Sequence, residues 1–585
     1  MTKVEDLARE WLRLDRDEET SSEIRELLEQ QHFTELEARF STRLAFGTAG
    51  LRAQMGAGYS RINSLTIIQT SQGLAAYLLK EGIASRGIVI GYDARHNSKK
   101  FAELAAAAFI AKAIPVWWYE DLVHTPMVPF GVKELGAAAG IMITASHNPA
   151  QDNGYKVYGS NGCQINTPVD AYIAAAIIEN LEPVTWDAEK GTSSGKHILN
   201  PMKDKYFERL CKFAGPCGPH HPRFVYTPMH GVGNVFMNEV MELLGTTQFM
   251  TVVGEQAQPD PNFPTVKYPN PEEVGALDLA KTTADREGTS LVLANDPDAD
   301  RFAVAEKVNG QWKQLTGDQV GVLFAQFNGK SQARHTSQRL LTTAVSSQML
   351  SVMAEIDYTV EETLTGFKWL GNRALTLEQE GKYIPFAYEE ALGYMFPHVV
   401  HDKDGIAAAV LFLRACADWG SPWARLQRLY QRFGYFETMN TYWRSPDLTT
   451  TAEVFKMVRA LGKPFPTHVA GRKVLRWRDL TTAYDSSTVD NQPELPSSSS
   501  SQMITCWLEG ASSHSSSSLQ DNGVRFTVRA SGTEPKIKIY LECQSRSEEA
   551  ATNGAAEALS RISREWFGFP GLAIEQKYEH LAIPA

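Results

Sequence analysis

The sequence predicts an α/β chain of several domains, and three observations carry that reading. Its 585 residues correspond to about four domains at the usual ~150 residues each. Short apolar runs alternate with helical stretches, the pattern of mostly parallel sheets joined by crossover helices. Several of those runs end in a polar cluster, where the carboxyl ends of parallel strands form a ligand crevice.

Residues 1–40 read as a helical extension, because Val4, Leu7, Ala8, Trp11 and Leu12 recur at helical spacing among charged neighbours. The run Gly87 to Arg95 reads as a strand and loop, and an Ala-rich helix follows around 98–113. Ala137 to Ile143 leads into Thr144-Ala-Ser-His-Asn-Pro149, Arg223 to Tyr226 into Thr227-Pro-Met-His-Gly231, and Ser290 to Ala294 into Asn295-Asp-Pro-Asp-Ala-Asp-Arg301. Expected domains are 41–205, 206–325, 326–445 and 446–585, the last a smaller α+β domain with strands at Val524–Val528 and Ile537–Tyr540. Serine runs at 497–501 and 515–518, with Pro493 and Pro496, mark a flexible insertion at about 485–520; such a composition does not repay its ordering entropy. Within it, Cys506-Trp507-Leu508 is expected to dock locally as a short strand.

Composition narrows the function. Hydrophobic residues make up 43% and charged residues 21%, as in ordinary soluble proteins, and the formal net charge of -11 argues against a general nucleic-acid binder, which needs a basic excess. A few Arg and Lys converging in one cleft can still bind a small phosphate. The six cysteines form no C-x-x-C pair, which fits free thiols in a reducing compartment. Cys211, Cys217, His220 and His221 match no zinc-finger spacing. No apolar h-region opens the chain and no run of about 18 apolar residues occurs, so a cytoplasmic protein without a membrane span is expected.

Three clusters carry chemistry. In Asp296-Pro-Asp-Ala-Asp300, carboxylates at i, i+2 and i+4 on a loop can converge on a hard divalent cation such as Mg²⁺. A calcium EF-hand would need Gly where Arg301 stands and Glu where Lys307 stands; an acidic surface loop is the plain alternative. Ser146 lies at a strand-to-loop transition bounded by Pro149 and Gly154. No G-x-S-x-G elbow surrounds it, so acyl chemistry has little support. Beside a cation loop, a phosphorylated serine fits instead, because its added charge needs a positive partner. Lys156 follows as a charged donor or proton carrier, against the alternative of a solvated lysine. In Arg529-Ala-Ser-Gly-Thr533, Arg529 offers a planar fork and Ser531, Gly532 and Thr533 an anion cradle, with Lys536 and Lys538 nearby; alone, this stretch would be a hairpin turn. Neither a P-loop nor a G-x-G-x-x-G fingerprint is present. Weaker ligand loops are Phe46 to Arg52, Leu364 to Trp369 (with Gly366, Phe367 and Lys368), Tyr388 to Gly393 (with Glu389 and Glu390), and His401 to Gly405 with Lys403.

Taken together and in this order, these stretches resemble the α-D-phosphohexomutase superfamily, the phosphoglucomutase/phosphomannomutase group, over roughly residues 40–580. The resemblance implies four domains around a central cleft: three similar α/β domains and a smaller C-terminal α+β domain. It implies a phosphoserine at Ser146 and one Mg²⁺ per chain held by Ser146, Asp296, Asp298 and Asp300. His147, Lys156 and Lys403 match basic positions near the transferring phosphoryl, as does Arg52, and Arg301 follows the last carboxylate as expected. Glu389 and Glu390 fall in the sugar loop; Arg529, Ser531, Gly532, Thr533 and Lys538 fall in the phosphate loop. One departure is Ala391, where the family commonly has Ser. The stretches at 46–52 and 365–369 look more like the branch with phosphopentomutases and glucose-1,6-bisphosphate synthases.

The expected activity is interconversion of ribose 1-phosphate and ribose 5-phosphate, with phosphoglucomutase activity beside it. A sugar bisphosphate serves as intermediate and activator, and the enzyme is expected to be a monomer acting on a small phosphosugar. A bisphosphate synthase is the alternative within the family, and a non-catalytic sugar-phosphate sensor is the alternative outside it.

Overall fold

The computed structural model describes residues 3–215, 221–329, 338–510, 523–531, 535–569 and 574–577. The chain forms two compact units, one of residues 1–341 and 366–422, the other of residues 342–365 and 423–585. Residues 342–365, inside the stretch expected as a third domain, therefore cluster with the C-terminal part. No helix among the described residues is long and apolar enough to cross a membrane. Cys217 and His220 lie outside the described residues.

The first unit opens with three helices, Lys3–Leu14, Glu18–Glu29 and Phe33–Phe40. Trp11 is fully buried and meets Phe40 and Tyr59 edge-to-face, a geometry that rings favour through their quadrupoles. The first sheet runs β1 (Leu51–Gln54), β5 (Asp152–Gly159), β4 (Ala139–Ile143), β2 (Ile88–Tyr92), β3 (Val116–Trp118) and β6 (Lys196–His197) in spatial order. β4, β2, β3 and β6 are parallel. β2 and β4 are buried at every residue, as expected of strands covered by helices on both faces. β5 is antiparallel to both β4 and β1, so the sheet is mixed at the edge nearest Ser146.

The second sheet repeats the plan with β7 (Phe224–Thr227), β8 (Met250–Val252), β9 (Leu291–Asn295), β10 (Phe302–Val308) and β11 (Gln311–Gln314), ordered β11-β10-β9-β7-β8. Its centre is parallel and its β9-β10-β11 edge antiparallel. A third set in this unit includes the start of β12 (Arg339–Thr343), where Leu341 pairs with Ala387. After β13 (Thr359–Thr363), which belongs to the second unit, come β14 (Ala387–Glu389) and β15 (Gly393–Met395), a hairpin. The helix Gly405–Trp419 is almost entirely buried, with Asp404 accepting from the N–H groups of Ile406 and Ala407 at its start.

The second unit centres on an antiparallel sheet of β17 (His468–Val469), β18 (Arg472–Asp479), β20 (Met503–Leu508), β21 (Gly523–Ala530), β22 (Lys536–Ser545), β16 (Tyr435–Arg444) and β23 (Glu575–Lys577), in that order. β19 (Tyr484–Asp485) flanks β18. Helices Leu448–Ala460 and Glu548–Phe567 bury Val454, Phe455, Ile562 and Trp566 against Trp477, Cys506, Phe526 and Leu541. Here the expected insertion is corrected over part of its length. Residues 503–508 are a full strand between β18 and β21, and Met503, Ile504, Cys506 and Leu508 are buried. The serine-rich flanks hid an apolar run that is too short to stand out alone. Ser515 to Ser518 lie outside the described residues.

One glycine shows how tightly the first sheet closes near Ser146. A Cβ on Gly154 would lie 2.4 Å from the Thr144 carbonyl oxygen and 2.9 Å from that of Leu51. Gly154→Ala is expected to push β1 or β4 away from β5 and to cost about 1–3 kcal/mol. Thermal unfolding of the variant beside the parent should show the lower midpoint; an unchanged midpoint would contradict this packing.

Candidate active site

Ser146 stands just past the carboxyl end of β4. Its backbone is in the left-handed region, φ 54°, a conformation that costs a non-glycine residue about 1–3 kcal/mol and persists only where the surroundings over-determine it. Two groups do so. The Thr144 hydroxyl oxygen accepts from the Ser146 N–H at 2.8 Å. The Arg95 guanidinium donates to the carbonyls of Ser146 and Asn148, each at 2.6 Å, and of Pro149 and Asp152 at 2.9 and 3.2 Å.

Asp296, Asp298 and Asp300 follow the carboxyl end of β9. All three are fully buried, and they present carboxylate oxygens within 4.8 Å of one another. Ala299, at φ 49°, bends the loop between the second and third. The Ser146 hydroxyl donates to Asp296 Oδ2 at 2.8 Å, so the serine loop and the acidic loop meet directly. Lys156, on β5, donates to Asp298 Oδ2 at 2.7 Å and Asp300 Oδ2 at 2.8 Å. Lys403 Nζ is also 2.8 Å from Asp300 Oδ2. Thr125 completes the shell: its hydroxyl donates to Asp298 Oδ2 at 2.7 Å and its N–H to the Asp298 carbonyl at 2.9 Å.

The electrostatics of this cluster are lopsided. Burial, and then the neighbouring Asp298 and Asp300, push Asp296 well above the ordinary carboxylate range. Burial would raise Asp298 too, but Lys156 overrides it and holds that carboxyl well below the range. Burial would lower Lys403, whereas Asp300 and Asp402 more than offset that and keep it a firm cation. Oδ1 of Asp298 and Oδ1 of Asp300 are buried with no hydrogen-bond partner. Three converging carboxylates with two orphaned oxygens are the donor set of a hard divalent cation. The residues present fit such a metal.

The other candidates in the first unit gather around this cluster. His147 Nδ1 is 3.3 Å from the Ser146 hydroxyl; burial, with Arg301 and Arg52 beyond it, pushes its imidazole well down. The Arg301 N–H donates to Asp296 Oδ1 at 3.0 Å, and its guanidinium reaches Glu272 at 3.4 Å. Arg52, on β1, reaches Asn148 Oδ1 at 3.4 Å. Gly366, at φ 109°, precedes the helix Phe367–Gln379. Lys403 lies over the Phe367 ring at 5.5 Å, and Lys368 donates to the Thr48 hydroxyl. Glu389 pairs with Gly393 in the hairpin, and Arg301 bridges to Gly393; Glu389 and Glu390 are half-buried. Tyr388 turns inward, donating to Asp318 Oδ1 at 2.9 Å, so it is a core residue and presents nothing to a ligand.

In the second unit, Arg529 and Lys538 are partners across β21 and β22. Arg529 donates to the Thr365 hydroxyl. The Ser531 N–H donates to the Lys536 carbonyl at 2.8 Å. Gly532 and Thr533 lie outside the described residues.

Models of the phosphoglucomutase/phosphomannomutase α/β/α domains I, II and III match residues 43–183, 204–310 and 316–433, and that of the C-terminal domain matches 512–559. The chain belongs to the phosphoglucomutase/phosphomannomutase family. Relatives extend nearly end to end. A phosphoribomutase of Saccharomyces cerevisiae is 43% identical over 95% of this chain and 95% of its own. Human phosphopentomutase is 43% identical over 91% and 90%, and human glucose 1,6-bisphosphate synthase 37% over 94% and 92%. The Paramecium phosphoprotein parafusin, a phosphoglucomutase solved in an open form, shares the fold at TM-score 0.65 and 18% identity, over 91% of this chain and 98% of that one.

Within this family frame, four supporting residues escaped the sequence pattern. Arg95 and its ion-pair partner Asp93, 3.4 Å away, have side chains 1% exposed, yet in the sequence they look like an ordinary polar loop after β2. Thr125 has no motif around it; nothing short of the fold places it 2.7 Å from Asp298. Gly405 ends the His401–Gly405 loop with no sequence sign of a packing role, but a Cβ there would lie 2.3 Å from the Arg301 carbonyl, so the Lys403 turn docks on the acidic loop through it. Outer partners of metal ligands are worth about 10–100-fold in affinity. Thr125→Val is expected to weaken Mg²⁺ binding by about that factor, measured by calorimetric titration. Unaltered affinity would mean that Asp298 is not a ligand oriented by Thr125.

Proposed function

We propose that the protein is a phosphopentomutase that interconverts ribose 1-phosphate and ribose 5-phosphate through phospho-Ser146, with lesser activity on glucose 1-phosphate. One observation carries this reading: the Ser146 hydroxyl lies 2.8 Å from Asp296 within the buried acidic trio. The choice of pentose is supported by the names of the relatives, since a phosphoribomutase and a phosphopentomutase stand at 43% identity and a bisphosphate synthase at 37%.

Asp296, Asp298 and Asp300, with an oxygen on Ser146, would hold one Mg²⁺ per chain. When bound, that ion supplies positive charge against the phosphoryl oxygens, which is most of what phosphoryl transfer demands. The phosphorus–oxygen bond to Ser146 breaks as a bond to the free sugar hydroxyl forms. The hydroxyl's proton passes to a protein base, and the sugar becomes a bisphosphate. The bisphosphate then turns over, and its other phosphate returns to Ser146 by the reverse steps, so no phosphate is consumed. Added sugar bisphosphate would also load an unphosphorylated enzyme.

Lys403 and Lys156, both bonded to carboxylates of the trio, are the cations beside the transfer; as ammonium groups they can give a proton to the departing serine oxygen, which balances the proton the sugar hydroxyl loses. His147 faces the serine oxygen. Arg52, Arg301, Gly366, Phe367 and Lys368 would line the sugar phosphate, Glu389 and Glu390 would accept sugar hydroxyls, and Arg529, Ser531, Gly532, Thr533 and Lys538 would grip the phosphate that does not react. The proposed enzyme is a cytoplasmic monomer acting on a small phosphosugar, with no nucleic-acid or membrane partner.

A bisphosphate synthase reading is supported by the 37% relative; it would need an acyl-phosphate donor and would release the bisphosphate. In a coupled assay, Ser146→Ala is expected to lower ribose 1-phosphate turnover by about 10³-fold or more, and excess chelator should abolish it. The parent should turn over ribose 1-phosphate faster than glucose 1-phosphate without any acyl-phosphate donor. Full activity of the alanine variant would overturn the phosphoserine, and a strict need for the donor would favour the synthase.

A further inference from the structure

A second charged cluster lies in the C-terminal unit, on the sheet face opposite the two helices. Across neighbouring strands, Arg476 pairs with Trp507, Trp507 with Arg525, and Arg525 with Glu542. Arg478 follows Arg476 at i+2 on β18 and Gln544 follows Glu542 at i+2 on β22, so both share that face. The guanidinium carbons of Arg476 and Arg478 lie 4.3 and 5.2 Å from the Trp507 ring centroid. Arg478 and Arg525 are only 4% and 6% exposed. Three guanidiniums are thus gathered around one indole.

Their counter-charges do not use up their hydrogen-bonding capacity. Asp485 holds Arg476 at 2.6 Å, and Glu362 reaches Arg478 at 3.2 Å and Arg525 at 4.0 Å. Arg525 spends donors on the carbonyls of Ala344 and Ser346. The third acid, Glu542, is pushed up by burial despite Arg525. Nε and Nη2 of Arg478, Nε2 of Gln544 and Oε2 of Glu542 are buried without a hydrogen-bond partner; of these residues Gln544 and Glu542 wall the neighbouring cavity and Arg478 stands behind it. A cavity of about 390 Å³ opens against Gln348, Arg476, Trp507, Arg525, Glu542 and Gln544.

We propose that this cavity is a second oxyanion site, taking a phosphate group either as inorganic phosphate or as a phosphate ester. A phosphate brings acceptor oxygens to a cavity walled by the Arg476 and Arg525 guanidiniums and the unpartnered Gln544 amide, and Arg forks match its geometry. An apolar or cationic occupant would leave the Gln544 amide unpaired. The site is separate from the Arg529 turn, because it sits at the Gly523–Gln544 end of the β21–β22 pair, away from the Arg529–Lys538 end, and draws on none of the phosphate-loop residues.

The test is hydrogen–deuterium exchange on the full chain, titrated in parallel with inorganic phosphate and with ribose 5-phosphate, which reads binding without turnover and so does not depend on the mutase reading. Saturable slowing of exchange in peptides covering 472–479 and 503–508 is expected. Stronger slowing by ribose 5-phosphate would assign the site to an ester, and equal slowing to the inorganic ion. Gln544→Glu places an acid in the cavity without removing an arginine, and Arg476→Gln removes a half-exposed one. Each should weaken that protection by about 10-fold or more while leaving the fold intact. Exchange in 472–479 and 503–508 that ignores both ligands, or protection unchanged in Gln544→Glu, would overturn the proposal.

Discussion

Everything chemical in the first unit depends on the burial of three carboxylates at one point. Taking an isolated carboxylate out of water costs several kcal/mol, and stacking three multiplies the repulsion. The protein offsets part of this with Lys156, Lys403 and Thr125, yet burial and its neighbours still push Asp296 above the ordinary carboxylate range and two oxygens are left without partners. An arrangement so unfavourable on its own is tolerable when a divalent cation completes it. The Ser146 hydroxyl touches that trio, so a phosphate carried there meets the same positive charge.

The fold delivers this convergence through two mixed sheets of like design. β4 and β9 each end in a loop that bends through a left-handed residue, Ser146 in one and Ala299 in the other. Close backbone approaches then lock the loops. Gly154 admits the carbonyls of Leu51 and Thr144, and Gly405 admits the Arg301 carbonyl. Arg95 adds the decisive restraint, since one buried cation collects four carbonyls of the serine loop and would be costly to displace. Strain at Ser146 is thus held by Thr144 beside it and by an arginine in the loop after β2.

Much of this was legible in the sequence, for a physical reason. Ser146 and the Asp296–Asp300 trio lie at strand ends, and short buried strands followed by polar loops leave a clear pattern. Lys156 and Lys403 were legible as cations but not as partners of particular carboxylates, because their spacing from the trio is set by tertiary packing. Arg95 and Thr125 were hidden: a buried arginine that binds carbonyls has the same sequence surroundings as a solvated one. β20 was hidden for a different reason, its apolar residues being flanked by serine-rich chain that reads as insertion. Tyr388, beside the sugar-loop carboxylates, proved to belong to the core, where its hydroxyl finds Asp318.

The central claim is that a phosphate on Ser146 and a cation in the acidic trio are neighbours. Phosphorus NMR of the phosphorylated protein loaded with Mn²⁺ measures that proximity, because a paramagnetic ion within a few ångströms broadens the phosphoserine resonance severely. The account predicts broadening that disappears in Asp298→Asn. A phosphoserine line that stays sharp while Mn²⁺ is bound at the trio would contradict it.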